Sequence, residues 1–246
     1  FSSDLAKAKK ANVYIITVPT PVDQWNVPSL DILMDATENV ARVLSRGDLV
    51  IYESTVYPGV TRQICAPLLE KCSELNLDKD FMLGYSPERI NPGDQQHTIH
   101  NVTKVVSGSN KKALEKVTEI YRSFMGKNLC FASSIEVAET AKVIENTQRD
   151  VNIGLMNEIA KICGEIGIDT NEVIDVASTK WNFMPFRPGL VGGHCIGVDP
   201  YYLTHKATEL NLQSDVILAG RRVNEQMGSY CAEKFIKCLL NSGKNL

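Results

Sequence analysis

Short apolar runs alternate with amphipathic helical patterns through residues 1–133, and this alternation limits the possible folds more than any other feature. The runs are rich in β-branched residues and are bounded by turns, which is typical of strands. Strands spaced by helices favour parallel pairing with helical crossovers, and the loops at the ends of such strands bind ligands. The predicted strands are Val13–Val18, Leu49–Tyr52, Phe81–Tyr85, Val102–Ser107 and Leu129–Phe131, and the predicted helices between them are Leu30–Leu44, Thr61–Leu75 and Lys111–Met125.

The pattern becomes helical after Ser133. Ser133 and Glu136 have the spacing of a capping box, and a long helix is predicted to run from there to about Cys163. Helical patterns return over Thr170–Ser178 and over about Asp215–Leu240, after a stretch rich in glycine and proline. The chain is therefore expected to be α/β, with a doubly wound parallel sheet followed by an all-helical part.

The overall composition excludes several classes of protein. A formal net charge of −3 gives no general attraction to nucleic acid or to an anionic membrane, and no apolar run has membrane-spanning length. The seven cysteines are odd in number and form no CxxC pair, which favours reduced thiols in the cytoplasm. No zinc pattern is present, so no metal is expected. The N-terminus has neither a signal-peptide layout nor an initiator Met, and we expect it to be the interior of a longer chain.

Two loops follow the first two predicted strands. The sequence VPTP occupies 18–21, and ESTVYPGVT occupies 53–61 and leads into a helix. Hydroxyls and free N–H groups before a helix suit a phosphate or a ribose, although capping of the helix is the commoner use of such residues. No two of the 16 glycines are separated by one residue, so GxGxxG does not occur. If this is a cofactor domain, its first strand–loop–helix unit is expected to lie outside this chain.

A glycine-rich loop at 192–200 carries Cys195, four residues before Asp199. A thiol on such a turn is a candidate covalent nucleophile, whereas a buried apolar cysteine is the alternative. On the long helix, Lys142, Asn146 and Arg149 lie at i, i+4 and i+7 and so share one face. A solvated polar face is the default interpretation of that stripe.

Five segments in order resemble the UDP-glucose/GDP-mannose dehydrogenase family. They are VPTP at 18–21, ESTVYPGVT at 53–61, SPERINPG at 86–93, AKVIENTQRDVN at 141–152 and GGHCIGVDPYYL at 192–203. The resemblance implies the C-terminal half of an NAD-binding Rossmann-type domain over 1–132, a central helical dimerisation domain over 133–225, and the start of a connection to a UDP-binding domain over 226–246. A homodimer is therefore expected.

By this resemblance, the reaction is the oxidation of the C6 hydroxyl of a nucleotide sugar to a carboxylate with two NAD. Cys195 matches the nucleophile that forms a thiohemiacetal and then a thioester, and Lys142 matches the lysine that stabilises the developing oxyanion. Asn146 would bind the same oxygen. Glu88 would be the base for the water that opens the thioester, Thr55 would hold that water, and Asp199 would support the cysteine loop.

The same resemblance assigns two sets of binding residues. The residues expected to contact NAD are Thr20, Ser54, Thr55 and Thr61. Those expected to contact the substrate are Arg89, Ile90, Lys142, Asn146, Arg149, Arg187 and Gly192.

The form of two motifs resembles the branch that oxidises UDP-N-acetylhexosamines for capsule or O-antigen polysaccharide. The UDP-glucose branch has Phe-Leu where Arg89 and Ile90 stand, and a lysine where Val198 stands. Two alternatives remain open: a UDP-glucose 6-dehydrogenase, or an inactive truncated fragment that acts only as a dimerisation module. A zinc or redox protein is poorly supported by the cysteine spacing.

Overall fold

The structure, a computed structural model, describes residues 2–90, 93–94, 96–99, 101–193 and 196–242. The chain divides into two compact units, each described by itself below. The first comprises Phe1–Ile144 and Tyr201–Lys206, and the second comprises Glu145–Pro200 and Ala207–Leu246. This division falls inside the long helix, about ten residues after the boundary proposed from the change of pattern at Ser133.

A five-stranded sheet forms the centre of the first unit. Its strands are β1 (Val13–Ile16), β2 (Leu49–Tyr52), β3 (Met82–Tyr85), β4 (Lys104–Gly108) and β5 (Leu129–Phe131), and they lie side by side in chain order. A 3₁₀ helix, Leu5–Lys10, precedes the sheet, and α1 (Asp31–Ala41), α2 (Ala66–Ser73) and α3 (Lys111–Met125) connect its parallel strands. A π-helical turn, Thr61–Cys65, leads directly into α2.

One pair of strands departs from the predicted parallel arrangement. β3 and β4 are antiparallel, with Gly84 opposite Gly108 and Tyr85 opposite Ser107, whereas the other three pairs are parallel. A parallel neighbour requires a crossover connection that is usually a helix. The described residues between β3 and β4 contain no helix, so the chain returns in the opposite direction.

The apolar face of α3 covers the sheet. Ala113, Val117, Tyr121 and Met125 recur every fourth residue and are buried against β2, β3 and β4. A Cβ built on Gly84 would lie 2.5 Å from Cγ2 of Val117, so glycine at this position is what lets α3 approach the sheet closely. The side chain of Asn110 caps α3 by accepting the N–H of Ala113 at 2.8 Å.

The second unit is helical, as predicted. The long helix α4 (Ile135–Ile166) begins in the first unit and continues through the second, which also holds α5 (Thr170–Ala177), all of α7 (Asp215–Asn241) and the two ends of α6 (Asp199–Glu209). Ser134, rather than the predicted Ser133, accepts the N–H of Val137 at 3.2 Å, so the predicted cap is displaced by one residue. No helix in the described ranges combines the length and apolarity needed to cross a membrane.

A polar network joins α4 to α7 inside the second unit. Arg221 donates to the buried carboxylate of Asp150 at 2.8 Å, and Asn224 donates to the same oxygen at 2.8 Å. Asn157 donates to Asn224 at 2.8 Å and to the carbonyl of Gly189 at 3.0 Å. These bonds fix the two helices and the loop after α5 to one another.

Candidate functional site

In the first unit, the loops that follow β1 and β2 lie side by side. The hydroxyl of Thr20 donates to the carbonyl of Thr55 at 2.6 Å, and the hydroxyl of Ser54 donates to the carbonyl of Val18 at 2.7 Å. Three of the four residues expected to contact NAD are therefore gathered at the carboxyl edge of the sheet. In open α/β sheets this edge is where ligands bind.

These loops suit the ribose hydroxyls of a dinucleotide. Thr20 and Ser54 donate their protons to carbonyl groups of the chain, and each hydroxyl oxygen keeps lone pairs that can accept a hydrogen bond. The side chain of Thr55 is half-buried beside them. The residues present at the sheet edge are thus compatible with NAD.

The segment Tyr201–Lys206 packs on the same loops. Tyr202 is 1% exposed, and its hydroxyl donates to the carbonyl of Thr20. The rings of Tyr57 and His205 lie 4.9 Å apart between their centroids. These contacts could not be predicted from the sequence, because nothing local to Tyr202 indicates a partner 182 residues away.

The backbone N–H groups at the helix start after the second loop already donate to a side chain of the protein. The buried carboxylate of Glu139 on α4 accepts the N–H of Gly59 at 2.6 Å and that of Thr61 at 2.9 Å. Burial raises the pKa of Glu139 to about 7, although both hydrogen bonds act in the opposite direction. The N–H groups of Gly59 and Thr61 are therefore not free for a phosphate. Thr61 is itself fully buried, so it supports the loop in this structure, and contact with NAD would require the loop to open.

Glu88 lies in a network of charged side chains at the same edge. One of its carboxylate oxygens accepts the N–H groups of Arg89 at 2.7 Å and Ile90 at 2.6 Å, and the other lies 3.6 Å from the Nζ of Lys104. Burial alone would raise the pKa of Glu88, but the N–H of Ile90 and the ammonium of Lys104 bring it below its usual value. Glu88 is thus held as a carboxylate.

A cavity of about 180 Å³ adjoins this network. Glu53, Glu88, Arg89 and Lys104 form its polar wall, and Ile90, Ile99, Val102, Tyr121, Phe124 and Met125 contribute most of the rest. Arg89 and Ile90, both expected at the substrate, follow Glu88 in the sequence and line the same cavity as its carboxylate. Glu53, Lys104 and Tyr121 were not anticipated as members of this group.

In the second unit, two of the expected residues contact each other. The amide of Asn146 donates to the carboxylate of Asp199 at 2.5 Å, and both side chains are buried. Asp199 lies near the end of the glycine-rich loop at 192–200 and is also the first residue of α6. Arg149, one turn beyond Asn146, is exposed.

The remaining expected residues have the following surroundings. Lys142 is half-buried on the part of α4 that belongs to the first unit. Arg187 is exposed and is paired with Asp175 and Asn171. Gly192 is exposed, with open space where a Cβ would lie. Cys195, the expected nucleophile, lies outside the described residues.

A mostly parallel sheet with polar loops at its carboxyl edge, followed by long helices, is compatible with a nucleotide-dependent dehydrogenase. Residues 1–125 match the NAD binding domain, and residues 136–226 the central domain, of the UDP-glucose/GDP-mannose dehydrogenase family. The chain belongs to this family, whose members are NAD-dependent oxidoreductases acting on nucleotide sugars.

Among its relatives are two bacterial proteins. The chain is 55% identical over 240 residues to a UDP-N-acetyl-D-glucosamine 6-dehydrogenase of Pseudomonas aeruginosa, with 98% of the chain and 57% of the relative covered. It is 57% identical over 243 residues to protein CapL of Staphylococcus aureus, with 99% and 57% covered. The chain thus spans a little over half the length of these relatives.

A solved structure also resembles the chain. The UDP-D-ManNAc dehydrogenase of Pyrococcus horikoshii has a TM-score of 0.91 at 34% sequence identity, with 99% of the chain and 57% of that protein covered. This similarity supports the fold described above for the NAD binding domain and for the central domain.

Proposed function

We propose that the whole protein oxidises the C6 hydroxyl of a UDP-N-acetylhexosamine to the uronic acid, with the transfer of four electrons to two NAD. The observation that carries the proposal is the 55% identity, over 98% of the chain, to a UDP-N-acetyl-D-glucosamine 6-dehydrogenase. Identity to the dehydrogenase of the manno epimer is lower, at 34%, which favours the gluco sugar. The motifs SPERINPG and GGHCIGVDP, which resemble the branch that oxidises UDP-N-acetylhexosamines, support a role in making capsule or O-antigen polysaccharide.

Thr20, Ser54 and Thr55 are proposed to hold the cofactor, which when bound accepts hydride from the sugar carbon. Their clustering at the carboxyl edge of the sheet supports this assignment. Thr61 is proposed to hold this loop in place, because its backbone N–H donates a hydrogen bond to the Glu139 carboxylate.

The first oxidation would move a hydride from C6 to the bound NAD and release the hydroxyl proton to water, which leaves an aldehyde. Lys142 is proposed to stabilise the negative charge that develops on the C6 oxygen, and Asn146 to donate a hydrogen bond to it. The Asn146 amide that donates to Asp199 in this structure is held in one orientation by that contact. Arg149, one turn on, is proposed to bind the substrate through its guanidinium, as is Arg187.

The second oxidation is proposed to proceed on Cys195. Its thiolate adds to the aldehyde carbon to form a thiohemiacetal, and loss of a second hydride from that carbon gives a thioester. A water positioned by Thr55 then attacks the thioester carbon, gives its proton to Glu88, and displaces the thiolate. The product is the carboxylic acid, and the cysteine is regenerated.

We propose a homodimer formed by the helical unit. Leu155, Ile162 and Ile166 lie along one face of α4 and are each more than half exposed. Apolar residues in such a stripe are typical of a surface that packs against another helix. Light scattering of the purified protein tests this, and a monomer at micromolar concentration would contradict it.

The six cysteines of the described residues are all free thiols, which supports a reducing compartment such as the cytoplasm.

The experiment that tests the proposed activity is product analysis with three sugar nucleotides. The whole protein and NAD are incubated with UDP-N-acetylglucosamine, its galacto epimer or UDP-glucose. We expect two NADH and one uronic acid per molecule of an N-acetylated substrate, and little product from UDP-glucose. Preferred oxidation of UDP-glucose would contradict the substrate assignment.

A further inference from the structure

The side chain of Lys104 is a buried cation that the proposed chemistry does not use. It is 8% exposed, and its Nζ lies 3.1 Å from an oxygen of Glu53 and 3.6 Å from an oxygen of Glu88. The same Nζ lies 5.2 Å from the centroid of the Tyr121 ring. A buried ammonium requires such partners, because desolvation of an unpaired charge is costly.

The antiparallel pairing of β3 and β4 brings Lys104 close to Glu88. The register sets Gly84 opposite Gly108 and Tyr85 opposite Ser107. Continued in the same register beyond the end of β3, it sets Glu88 opposite Lys104. Glu53 directly follows β2, the other neighbour of β3, so the two carboxylates approach the same ammonium.

Three of the four carboxylate oxygens have short hydrogen bonds. Tyr121 donates to one oxygen of Glu53, and Lys104 donates to the other. One oxygen of Glu88 accepts two backbone N–H groups. Among the residues that the structure describes, the remaining oxygen of Glu88 has only the longer ion pair with Lys104, and the Glu88 side chain is half exposed. That oxygen is the one available to a water molecule.

We infer that Lys104 is the positioning residue of Glu88, and that its ammonium, anchored by Glu53 and Tyr121, holds the Glu88 carboxylate at the wall of the 180 Å³ cavity to accept the proton of the attacking water. The inference rests on the proposed function for the identity of that water. Lys104 itself touches neither substrate nor cofactor in this assignment.

Two substitutions of charged residues near Glu88 are expected to shift its pKa in opposite directions. The groups that face this network are Lys104, Glu53, Tyr121 and Arg89. Lys104→Met removes the ammonium that pairs with Glu88 and lowers its pKa, so the pKa of Glu88 rises in this variant. Glu53→Gln removes the competing carboxylate and leaves the ammonium to Glu88 alone, so the pKa of Glu88 falls. A purely structural role for Lys104 predicts no such pair of opposite shifts.

The first measurement is a carbon-13 NMR titration of the glutamate carboxyls in this chain, with Glu88 assigned by comparison with Glu88→Gln. We expect the Glu88 midpoint to move up in Lys104→Met, down in Glu53→Gln, and to stay near its original value in Lys104→Arg. Lys116→Met is the matched control, since Lys116 is a half-buried lysine that donates to the carbonyl of Gly47 and has no part in the Glu88 network described above. The same midpoint in every variant would overturn the inference. If Lys104→Met does not fold, the expected fall of the Glu88 midpoint in Glu53→Gln tests the inference, and an unchanged midpoint in that variant would overturn it.

The second measurement uses the whole protein and its pH profile. We expect Lys104→Met to lower kcat for acid formation about tenfold below neutral pH, with recovery as the pH rises and with KM for the sugar nucleotide unchanged. An equal loss of kcat at all pH values, or a change in KM alone, would overturn the inference. If the whole protein makes no uronic acid, the proposed function fails, and the NMR titration still decides whether Lys104 controls Glu88.

Discussion

The carboxylate of Glu139 accepts the N–H of Gly59 at 2.6 Å, and so joins the long helix α4 to the loop that carries Ser54 and Thr55. The Glu139 side chain is fully buried, and its second oxygen accepts the N–H of Thr61. N–H groups in such a position can bind a phosphate, but here they donate to the carboxyl group of Glu139.

This contact predicts that the stability of the protein depends on pH. The pKa of Glu139 is about 7, whereas an unburied glutamate has a value of 4.5. Between these values the native state binds one proton more than the unfolded state, so the free energy of unfolding falls as pH rises, by about 3 kcal/mol. In Glu139→Gln we expect that decrease to be absent. Urea unfolding at pH values from 5 to 8 measures it.

Glu136→Gln is the control for this prediction. Glu136 is on the same helix and is partly exposed. Desolvation acts to raise its pKa, but the pKa is lowered overall, in part because of Ser134 and Arg62. The variant should retain the decrease in stability between pH 5 and 7. Equal pH profiles for the wild type and Glu139→Gln would show that Glu139 does not titrate in this range.

Local patterns predicted the strands and helices more accurately than their arrangement. Leu49–Tyr52, Leu129–Phe131 and Lys111–Met125 have the predicted bounds, because turn residues or a capping asparagine delimit each of them. The antiparallel β4 was missed, since an apolar run carries no sign of its direction. The cap of α4 was displaced by one residue because Ser133 and Ser134 are both suitable capping residues.

The candidate site could be predicted only where a motif marks it. Glu88 and Thr20 were selected through the resemblance to a known family. Lys104 and Tyr121 were not, because their contacts with Glu53 span 51 and 68 residues and follow from the sheet register and the packing of α3. Such long-range charge pairs leave no periodic or compositional signal in the sequence.

We predict that Cys195→Ala abolishes uronic acid formation by the whole protein. Without the thiol, no thioester can form, and the second oxidation loses its covalent intermediate. Mass spectrometry of the product, with NADH counted per sugar, checks this. Cys72→Ala, at an exposed free thiol on α2, is expected to leave turnover unchanged. Continued acid formation by Cys195→Ala would contradict the assignment of the nucleophile.

The buried ion pair of the second unit predicts a large loss of stability. Arg221 is 6% exposed and Asp150 is fully buried, so Arg221→Met leaves a carboxylate without its cation. Burial raises the pKa of Asp150, and Arg221 opposes that rise. We expect a loss of about 3–5 kcal/mol in the free energy of unfolding, measured with urea at neutral pH.

Lys234→Met provides the comparison for the ion pair. Lys234 lies 3.8 Å from Glu165, and both side chains are well exposed, so its removal should cost less than about 1 kcal/mol. If Arg221→Met were as stable as Lys234→Met, the Arg221–Asp150 pair would not stabilise the helical unit.

The close approach of α4 and α7 makes a prediction about two glycines. A Cβ on Gly154 would lie 3.1 Å from the Cα and the carbonyl oxygen of Gly220, and both of these atoms belong to backbone that cannot rotate away. Gly154→Ala must therefore push the two helices apart, and we expect the free energy of unfolding to fall by about 1–3 kcal/mol.

Gly228 is also on α7, but nothing lies within 4 Å of a Cβ built there. Gly228→Ala should instead stabilise the protein by up to about 1 kcal/mol, because alanine is the better helix former. Thermal unfolding of both variants under one condition measures the difference, and the packing argument fails if the two substitutions shift the midpoint in the same direction.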